Sequence, residues 1–219
     1  TMPTIAEKIL GEKAGKEASV EAGEILECDV DYIMVNDITG VPAFDVFEEL
    51  EREMKRERVV VVQDHYVPNK DVDSAEQAKA LRDYARNYGL ANYYEVGHGI
   101  CHQVMIEEGF AAPGRLIVGA DSHTCSYGAL GTFSTGIGST EAAAAMATGK
   151  MWFKVPATQK FVIRGALKSY VMGKDIILHI IGDRGVSGSL YKSQEFYGAA
   201  IEHLPLAECG LKCPQRRSL

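Results

Sequence analysis

Three polar clusters that contain histidine interrupt otherwise apolar stretches of this chain. They are residues 63–65 (QDH), residues 97–103 (GHGICHQ) and residues 121–124 (DSHT). An aspartate beside a histidine suits general acid–base catalysis, because the carboxylate can orient the imidazole and raise its pKa. The clusters are therefore the first candidates for a functional site.

The same side chains are compatible with two other roles. Their nitrogen and oxygen atoms suffice to bind zinc or manganese, which makes a mononuclear metal-dependent hydrolase an alternative function. Each histidine could instead cap a helix or satisfy buried backbone groups. Three clusters at equivalent places in the pattern favour a functional interpretation. The residues in question are Asp64, His65, His102, Asp121 and His123.

Two glycine-rich runs, residues 128–131 (GALG) and 136–140 (GIGST), carry a weaker signal. The second precedes a predicted helix with Ser139 as its N-cap, and a helix N-terminus can bind an anion. Neither run matches a dinucleotide-binding or P-loop fingerprint. Tight turns and close helix–sheet packing are the favoured interpretation.

Elements of α/β type must position the clusters. Residues 59–62 are four valines and residues 115–119 read RLIVG, and apolar runs without alternation are typical of parallel strands buried on both faces. Both runs end directly at an Asp/His cluster. In open α/β sheets, ligands bind at the carboxyl ends of the strands. Shorter strands are predicted at residues 93–96 and 160–165.

Helices are predicted between these strands. One opens at Pro42 and has an apolar face of Phe44, Phe47, Leu50 and Met54. The next begins with a capping box of Ser74 and Gln77 and ends at Gly89. Further helices are expected over residues 101–108, 139–150 and 174–181. Strands alternating with helices imply a three-layer α/β/α architecture with a mostly parallel sheet.

Composition excludes several classes of protein. The 219 residues are 46% hydrophobic and 24% charged, enough for one domain or for one and a part. The net charge of −7 disfavours nucleic-acid binding, and no apolar run is long enough to span a membrane. Five scattered cysteines suit a reducing, cytoplasmic environment. Cys28 and Cys101 are predicted core residues, and Cys125 is either packed or a thiol beside the site.

The last residues depart from the pattern, so we divide the chain into an α/β region at 1–207 and an atypical tail at 208–219. The tail has little apolar surface to bury and contains Pro214. We expect it to be poorly ordered or held by a neighbouring chain. The alternative is a metal clamp formed by Cys209 and Cys213 with His203.

Residues 63–65, 97–104 (GHGICHQV) and 120–131 (ADSHTCSYGALG), in this order and spacing, resemble the aconitase superfamily. Within it, the chain is most similar to large subunits of the 3-isopropylmalate dehydratase and archaeal homoaconitase type, from about residue 4 to about residue 207. The resemblance implies a [4Fe-4S] hydro-lyase that moves a hydroxyl on a di- or tricarboxylic acid such as 3-isopropylmalate or homocitrate. It also implies the fold of the aconitase iron–sulfur region, here incomplete.

The resemblance further implies roles for single residues. Asp64 and His65 look like the pair that protonates the leaving hydroxyl. Asp121 with His102 looks like a second carboxylate–imidazole pair. The residues implied to line the same site are Ser122 and His123, and the predicted substrate contacts are Asn36 and Gln103.

The resemblance also sets expectations for cofactor and partners. In the family all three cluster cysteines come later than this sequence reaches, so no metal ligand is assigned here and the isolated chain is expected to be inactive. The base belongs to a swivelling domain or small subunit, which is the expected partner besides a small carboxylic acid. An uncovered apolar face and self-association are also predicted. A truncated or frameshifted large subunit, or a non-catalytic fragment with an assembly role, would fit these features.

Overall fold

The architecture was determined from a computed structural model, which describes residues 2–205. The predictions for the tail and for its cysteine clamp lie outside the described residues. The helices are α1 (Ile5–Lys13), α2 (Gly40–Glu49), α3 (Val72–Tyr88), α4 (Cys101–Glu107), α5 (Ser139–Thr148), α6 (Gly173–Arg184) and α7 (Ala199–Glu202). The strands are β1 (Ile25–Asp29), β2 (Tyr32–Asn36), β3 (Val59–Val62), β4 (Tyr93–Tyr94), β5 (Leu116–Gly119), β6 (Phe133–Gly136), β7 (Lys150–Lys154), β8 (Ala157–Val162) and β9 (Lys192–Tyr197).

A parallel five-stranded sheet in the order β4-β3-β2-β5-β6 positions the three clusters. The chain builds outwards from β2 to β3 and β4, then returns to the other side of β2 with β5 and β6. The strand order therefore reverses between β2 and β5. Ligands of doubly wound sheets bind in the crevice at such a reversal, outside the carboxyl ends of the strands.

The sheet is buried on both faces, as the valine run predicts. Val59 and Val61 belong to one apolar cluster, while Val60 and Val62 belong to another on the opposite face. Residues from α1, α2, α3 and α5 contribute to the first cluster, and α4 contributes to the second. The α/β/α expectation is confirmed.

Both ends of α2 and the start of α3 differ from the predictions. The first helix begins at Gly40 rather than Pro42 and ends at Glu49, so Met54 is buried outside it and Leu50 is 40% exposed. The capping box of α3 uses Asp71 and Ser74 instead of Ser74 and Gln77. Asp71 sits in extended backbone, where its carboxylate accepts the Ser74 N–H. Gly89 ends this helix in left-handed conformation, as predicted.

The helix predicted at 139–150 also has different ends. Its N-cap is Gly138, and the Ser139 hydroxyl instead donates to the carbonyl of Thr39 at 3.2 Å. Gly149 ends the helix, so Lys150 begins β7. Ser139 therefore links α5 to the loop after β2 rather than capping a helix for an anion.

Residues beyond the main sheet form smaller units. Strands β1 and β7 pair antiparallel, and β8 pairs in parallel with β9. The strand predicted at 160–165 spans Ala157–Val162, and the helix predicted at 174–181 spans Gly173–Arg184. We call residues 157–204, with β8, α6, β9 and α7, the peripheral unit. Within residues 2–205, no helix is long and apolar enough to cross a membrane.

Candidate active site

The loop after β3 is held in place by a buried carboxylate from the loop after β2. Asp37 Oδ1 accepts the backbone N–H of Asp64 at 3.3 Å and that of His65 at 2.9 Å. Its second oxygen, Oδ2, accepts the N–H of Tyr66 at 2.6 Å. Because one carboxylate satisfies three consecutive N–H groups, the ends of β2 and β3 are fixed relative to each other.

Asp64 and His65 form a close carboxylate–imidazole pair. Asp64 Oδ1 lies 2.7 Å from His65 Nδ1, and Asp64 Oδ2 accepts the backbone N–H of Cys101 at 2.6 Å. An ionised carboxylate only accepts hydrogen bonds, so Nδ1 of His65 carries the proton. The other ring nitrogen, Nε2, lies 3.5 Å from Asp121 Oδ2 in the loop after β5.

A second pair lies on the other side of this crevice. His102 Nε2 is 3.0 Å from Asp121 Oδ1, and its Nδ1 is 2.8 Å from the hydroxyl of the fully buried Tyr127. Burial raises the pKa of Tyr127 far above its ordinary value, so its hydroxyl stays protonated. The tyrosine therefore donates to Nδ1, and Nε2–H of His102 donates to the carboxylate.

The pKa values of this second pair are both lowered. Burial lowers the pKa of His102 more than the neighbouring Asp121 raises it. Burial acts to raise the pKa of Asp121, but the His123 N–H, which donates to it at 2.6 Å, and the His102 imidazole together outweigh this. The favoured state at neutral pH is a neutral imidazole beside an ionised carboxylate.

The DSHT segment opens a 3₁₀ helix, Ser122–Leu130, at the end of β5. His123 is largely exposed, and its Nδ1 lies 3.4 Å from Asp121 Oδ1 and 3.4 Å from the Ser122 hydroxyl. Gly136, at the end of β6, packs against this segment: a Cβ there would lie 2.8 Å from the Asp121 carbonyl oxygen. This supports the close-packing interpretation of the second glycine-rich run.

The two predicted substrate contacts occupy different surroundings. Asn36 is buried, and its Oδ1 accepts the N–H groups of Ile38 and Thr39 at 3.0 and 3.1 Å, which shapes the loop after β2. Gln103 is exposed on α4 and donates to Glu107 at 2.7 Å. Neither side chain has a hydrogen bond to the two carboxylate–imidazole pairs among the described contacts.

Sequence reasoning missed two residues of this site. Asp37 follows β2 in the same way that Asp64 and Asp121 follow their strands, so its position after a buried strand was an available signal. Tyr127 lies within a 3₁₀ segment whose residues show no apolar period. Nothing in the sequence pattern indicates that its hydroxyl meets His102.

The described cysteines do not fit a cluster held by three thiolates. Cys28 and Cys101 are buried, and Cys125 is exposed. Within residues 2–205, no potential metal-binding group of three side chains contains more than one cysteine. Burial raises the pKa of Cys28 to about 11 and that of Cys101 further, which disfavours both thiolates. A cluster would need ligands from outside the described residues.

Comparison with known proteins gives a consistent family match. The model of the aconitase family (aconitate hydratase) matches residues 7–210. The 3-isopropylmalate dehydratase large subunit of Thermodesulfovibrio yellowstonii is 51% identical over 207 residues, covering 93% of this chain and 49% of that protein. Large subunit 1 from Pyrococcus abyssi is 50% identical over 208 residues, covering 94% and 49% respectively. The chain thus spans about half the length of these relatives.

Proposed function

This chain belongs to the aconitase family, and from that premise we propose that it carries the acid–base half of a hydro-lyase active site. The observation that carries the proposal is the convergence of the His65 and His102 imidazoles on the Asp121 carboxylate, at 3.5 and 3.0 Å. The proposed substrate is a hydroxylated di- or tricarboxylic acid. The names of the relatives favour 3-isopropylmalate over homocitrate.

In the proposed reaction, protonated His65 acts as the general acid. Hydroxide is a poor leaving group, so breaking the C–O bond requires a proton on the departing oxygen. Nε2 of His65 gives its proton to that oxygen, and water leaves. Asp64, 2.7 Å from Nδ1, holds the ring and stabilises its protonated form before transfer.

Asp121 and His102 have a positioning role in this proposal. The ionised Asp121 lies 3.5 Å from His65 Nε2 and stabilises a proton on that nitrogen. His102 donates to the Asp121 carboxylate and is itself held by the Tyr127 hydroxyl, so the carboxylate is fixed in place. Ser122 and His123 line the exposed side, where substrate enters. Asn36 acts by shaping its loop, and Gln103 is retained as a proposed substrate contact.

The remaining components are assigned by family membership. Aconitase-family proteins generally bind a [4Fe-4S] cluster, which supplies a Lewis acid for the leaving oxygen. The described residues do not offer the three thiolates that would hold such a cluster. The large-subunit names of the relatives imply a small subunit, which we propose as partner and as carrier of the swivelling domain with the base that removes the proton from the adjacent carbon. A cytoplasmic location and the alternative of a non-catalytic assembly role stay predictions.

A chimera tests the proposal. Residues 4–205 would replace the matching segment of the T. yellowstonii large subunit, co-produced with that organism's small subunit, and conversion of 3-isopropylmalate would be followed by NMR. We expect turnover, and a fall in kcat of about 10²–10⁴-fold in His65→Ala, as for loss of a general acid. The matched control is His179→Ala, because His179 is exposed on α6.

Two results would contradict the proposal. One is a folded, cluster-loaded chimera without turnover beside an active parent enzyme. The other is full turnover in the His65→Ala chimera. The isolated chain should show no turnover, because the proposed base lies elsewhere, and activity of that chain would refute the assignment of the base.

A further inference from the structure

Three apolar side chains at the carboxyl edge of the sheet are exposed to solvent. They lie in the loops after β2 and β4, which flank the loop after β3 that carries Asp64 and His65. Their exposed fractions are 39%, 40% and 67% for Ile38, Val96 and Ile100. We call these three residues the apolar rim. Single exposed apolar residues are ordinary on a protein surface, but these three share a neighbour.

The register of the strands places two rim residues on either side of Asp64. Strands β2 and β4 both have a residue paired with Val62 of β3, which lies two residues before Asp64. Two residues beyond their own paired positions, the chains after β2 and β4 reach Ile38 and Val96. Because the three strands are parallel, these two residues lie level with Asp64 and on opposite sides of it.

The loop that carries Ile38 is tied to the loop of His65. The Ile38 N–H donates to Asn36 Oδ1 at 3.0 Å, and the neighbouring Asp37 accepts the His65 N–H at 2.9 Å. These bonds use only the backbone of Ile38, so its side chain takes no part in them. Asn36 thereby has an indirect role, since it fixes the loop that presents this side chain.

Ile100 is tied to the same carboxylate–imidazole pair through α4. It is the N-cap residue of that helix, and the N–H of the next residue, Cys101, donates to Asp64 Oδ2 at 2.6 Å. Consecutive Cα atoms are about 3.8 Å apart, so Ile100 lies one residue from a direct contact with Asp64. Its side chain is the most exposed of the rim, which leaves most of its apolar surface open to a ligand.

We propose that the apolar rim binds the alkyl branch of the substrate and makes the chain selective for branched hydroxy acids. The inference rests on the proposed function, in which Nε2 of His65 protonates the leaving hydroxyl. That hydroxyl must then lie within hydrogen-bond distance of Nε2. In 3-isopropylmalate the isopropyl group is on the carbon next to the one that carries the hydroxyl. The branch is therefore brought to the surroundings of His65 whenever the reacting group is in place.

The size and chemistry of the rim fit such a branch better than a protein partner. Stable protein interfaces bury about 800 Å² on each side, more than three partly exposed side chains offer. Ligand sites combine apolar walls with a few polar groups that orient the ligand. Here the two carboxylate–imidazole pairs supply the polar groups and the rim supplies the wall. A carboxylate in place of the branch would lose hydration against the rim, so the rim also disfavours a tricarboxylic acid.

The affinity of the full chain for two acids tests the proposal. 3-Isopropylmalate and malate differ only in the branch, and NMR titration gives Kd for each. We expect 3-isopropylmalate to bind about 10-fold or more tightly than malate, since one methylene in an apolar pocket is already worth about 10-fold. In Ile38→Ala/Ile100→Ala this ratio should fall below about 3-fold, because most of the apolar contact is lost.

Two controls separate the apolar contact from a structural effect. Both substituted residues are exposed, so the double variant should fold, and its Kd for malate should equal that of the parent chain. Leu178→Ala makes the same kind of truncation on α6, where the side chain is 53% exposed. This variant should keep the full preference for 3-isopropylmalate.

Three results would overturn the proposal. One is a parent chain that binds both acids equally or binds neither. Another is an unchanged ratio in Ile38→Ala/Ile100→Ala. The third is a chimera with these two substitutions that keeps its preference but binds the small subunit more weakly, which would assign the rim to that partner. Failure of the proposed function is a separate observation, because the unsubstituted chimera would then show no turnover at all.

Discussion

The central sheet and the peripheral unit differ in how much of their apolar surface is buried. The sheet has all four valines of β3 fully buried, between clusters on both faces. The peripheral unit supplies four of the five buried members of one small cluster, Ile176, Phe196, Ile201 and Leu204, and the fifth is Ala129 of the 3₁₀ segment Ser122–Leu130. Of the 17 exposed large apolar residues among residues 2–205, eight lie between positions 170 and 191 of that unit. The sheet that carries the site therefore supplies its own core, whereas the peripheral unit leaves much of its apolar surface in water.

This difference bears on the rigidity of the site. The side chains of a functional site need supporting residues that are locked by packing. Those of the crevice are supported mainly by the two apolar clusters of the sheet, while Ala129 of the 3₁₀ segment also packs in the peripheral cluster. A segment with few buried apolar contacts opens locally at low free-energy cost. The comparison therefore predicts a stable site beside a locally unstable unit.

Truncating one buried phenylalanine in each region gives the largest expected contrast. Phe44 stacks on Tyr84 at 4.9 Å, and Phe196 stacks on Phe161 at 5.3 Å. Phe44→Ala should lower the free energy of global unfolding by about 3–5 kcal/mol. Phe196→Ala should mainly speed amide exchange in β8 and β9, leaving the global urea transition closer to that of the parent. Equal shifts of the global transition in both variants would break the comparison.

The same glycine-to-alanine change should have opposite signs in the two regions. A Cβ at Gly136 would meet the Asp121 carbonyl at 2.8 Å, so Gly136→Ala should destabilise by about 1–3 kcal/mol through overpacking. Gly182, inside α6, has nothing within 4 Å of an added Cβ, so Gly182→Ala should stabilise by up to about 1 kcal/mol. Thermal unfolding of both variants and of the parent measures the sign of the two stability changes. Destabilisation by Gly182→Ala would show that α6 is packed against something.

The ion pair between Arg82 and Glu95 makes the stability of the sheet region depend on pH. The hydrogen bond from Arg82, 2.6 Å long, lowers the pKa of Glu95 to about 2. A carboxyl whose pKa is lower in the folded state stabilises the folded protein. That contribution is complete above the pKa of the unfolded chain, about 4.3, and it is lost as the pH falls towards 2.

Both side chains are about a third exposed or more, so we expect an effect below about 1 kcal/mol. Urea unfolding of Glu95→Gln between pH 3 and 6 should show a shallower loss of stability with acid than the parent. Asp83→Asn, on the exposed face of α3, should change the slope less. Parallel pH profiles for Glu95→Gln and the parent would be inconsistent with this role of the pair.

The smallest effect on stability is expected for a surface change on the peripheral unit. Leu178 is 53% exposed on α6, so Leu178→Glu should change the unfolding free energy by less than about 0.5 kcal/mol. The same variant should bind less of an apolar-surface dye and sediment with less association at high concentration. Unchanged dye binding would argue that these side chains do not form a patch. Self-association of the parent chain stays a prediction until it is measured.

The sequence predicted the sheet strands at 59–62 and 116–119 well because runs of buried apolar residues ending in polar clusters have one structural explanation. Helix ends were predicted less well. Ser74 has a plausible partner in Gln77, yet Asp71 takes the capping position, and the choice depends on backbone geometry that spacing does not encode.

For the candidate site, the sequence predicted which clusters meet but not the contacts that their loops make. The three clusters meet because parallel strands end at the same edge, which composition and spacing indicate. The contact of His102 with Tyr127 and the three N–H groups on Asp37 depend on loop conformation instead. Asn36 shows the converse, since the family resemblance suggested a substrate contact while its Oδ1 accepts hydrogen bonds within its own loop.

The position of β2 at the centre of the sheet has a consequence for the order of folding. Pairing of Ile33 with Val59 joins residues close in sequence, whereas pairing of Tyr32 with Ile117 closes a loop more than three times longer. Loop-closure entropy makes the second pairing costlier by about 1 kcal/mol, and contacts distant in sequence form slowly. His65 and Asp121 approach each other only when β5 has joined β2. Their proximity would therefore report completion of the sheet, so that a chain caught early in refolding has the first carboxylate–imidazole pair before it has the crevice.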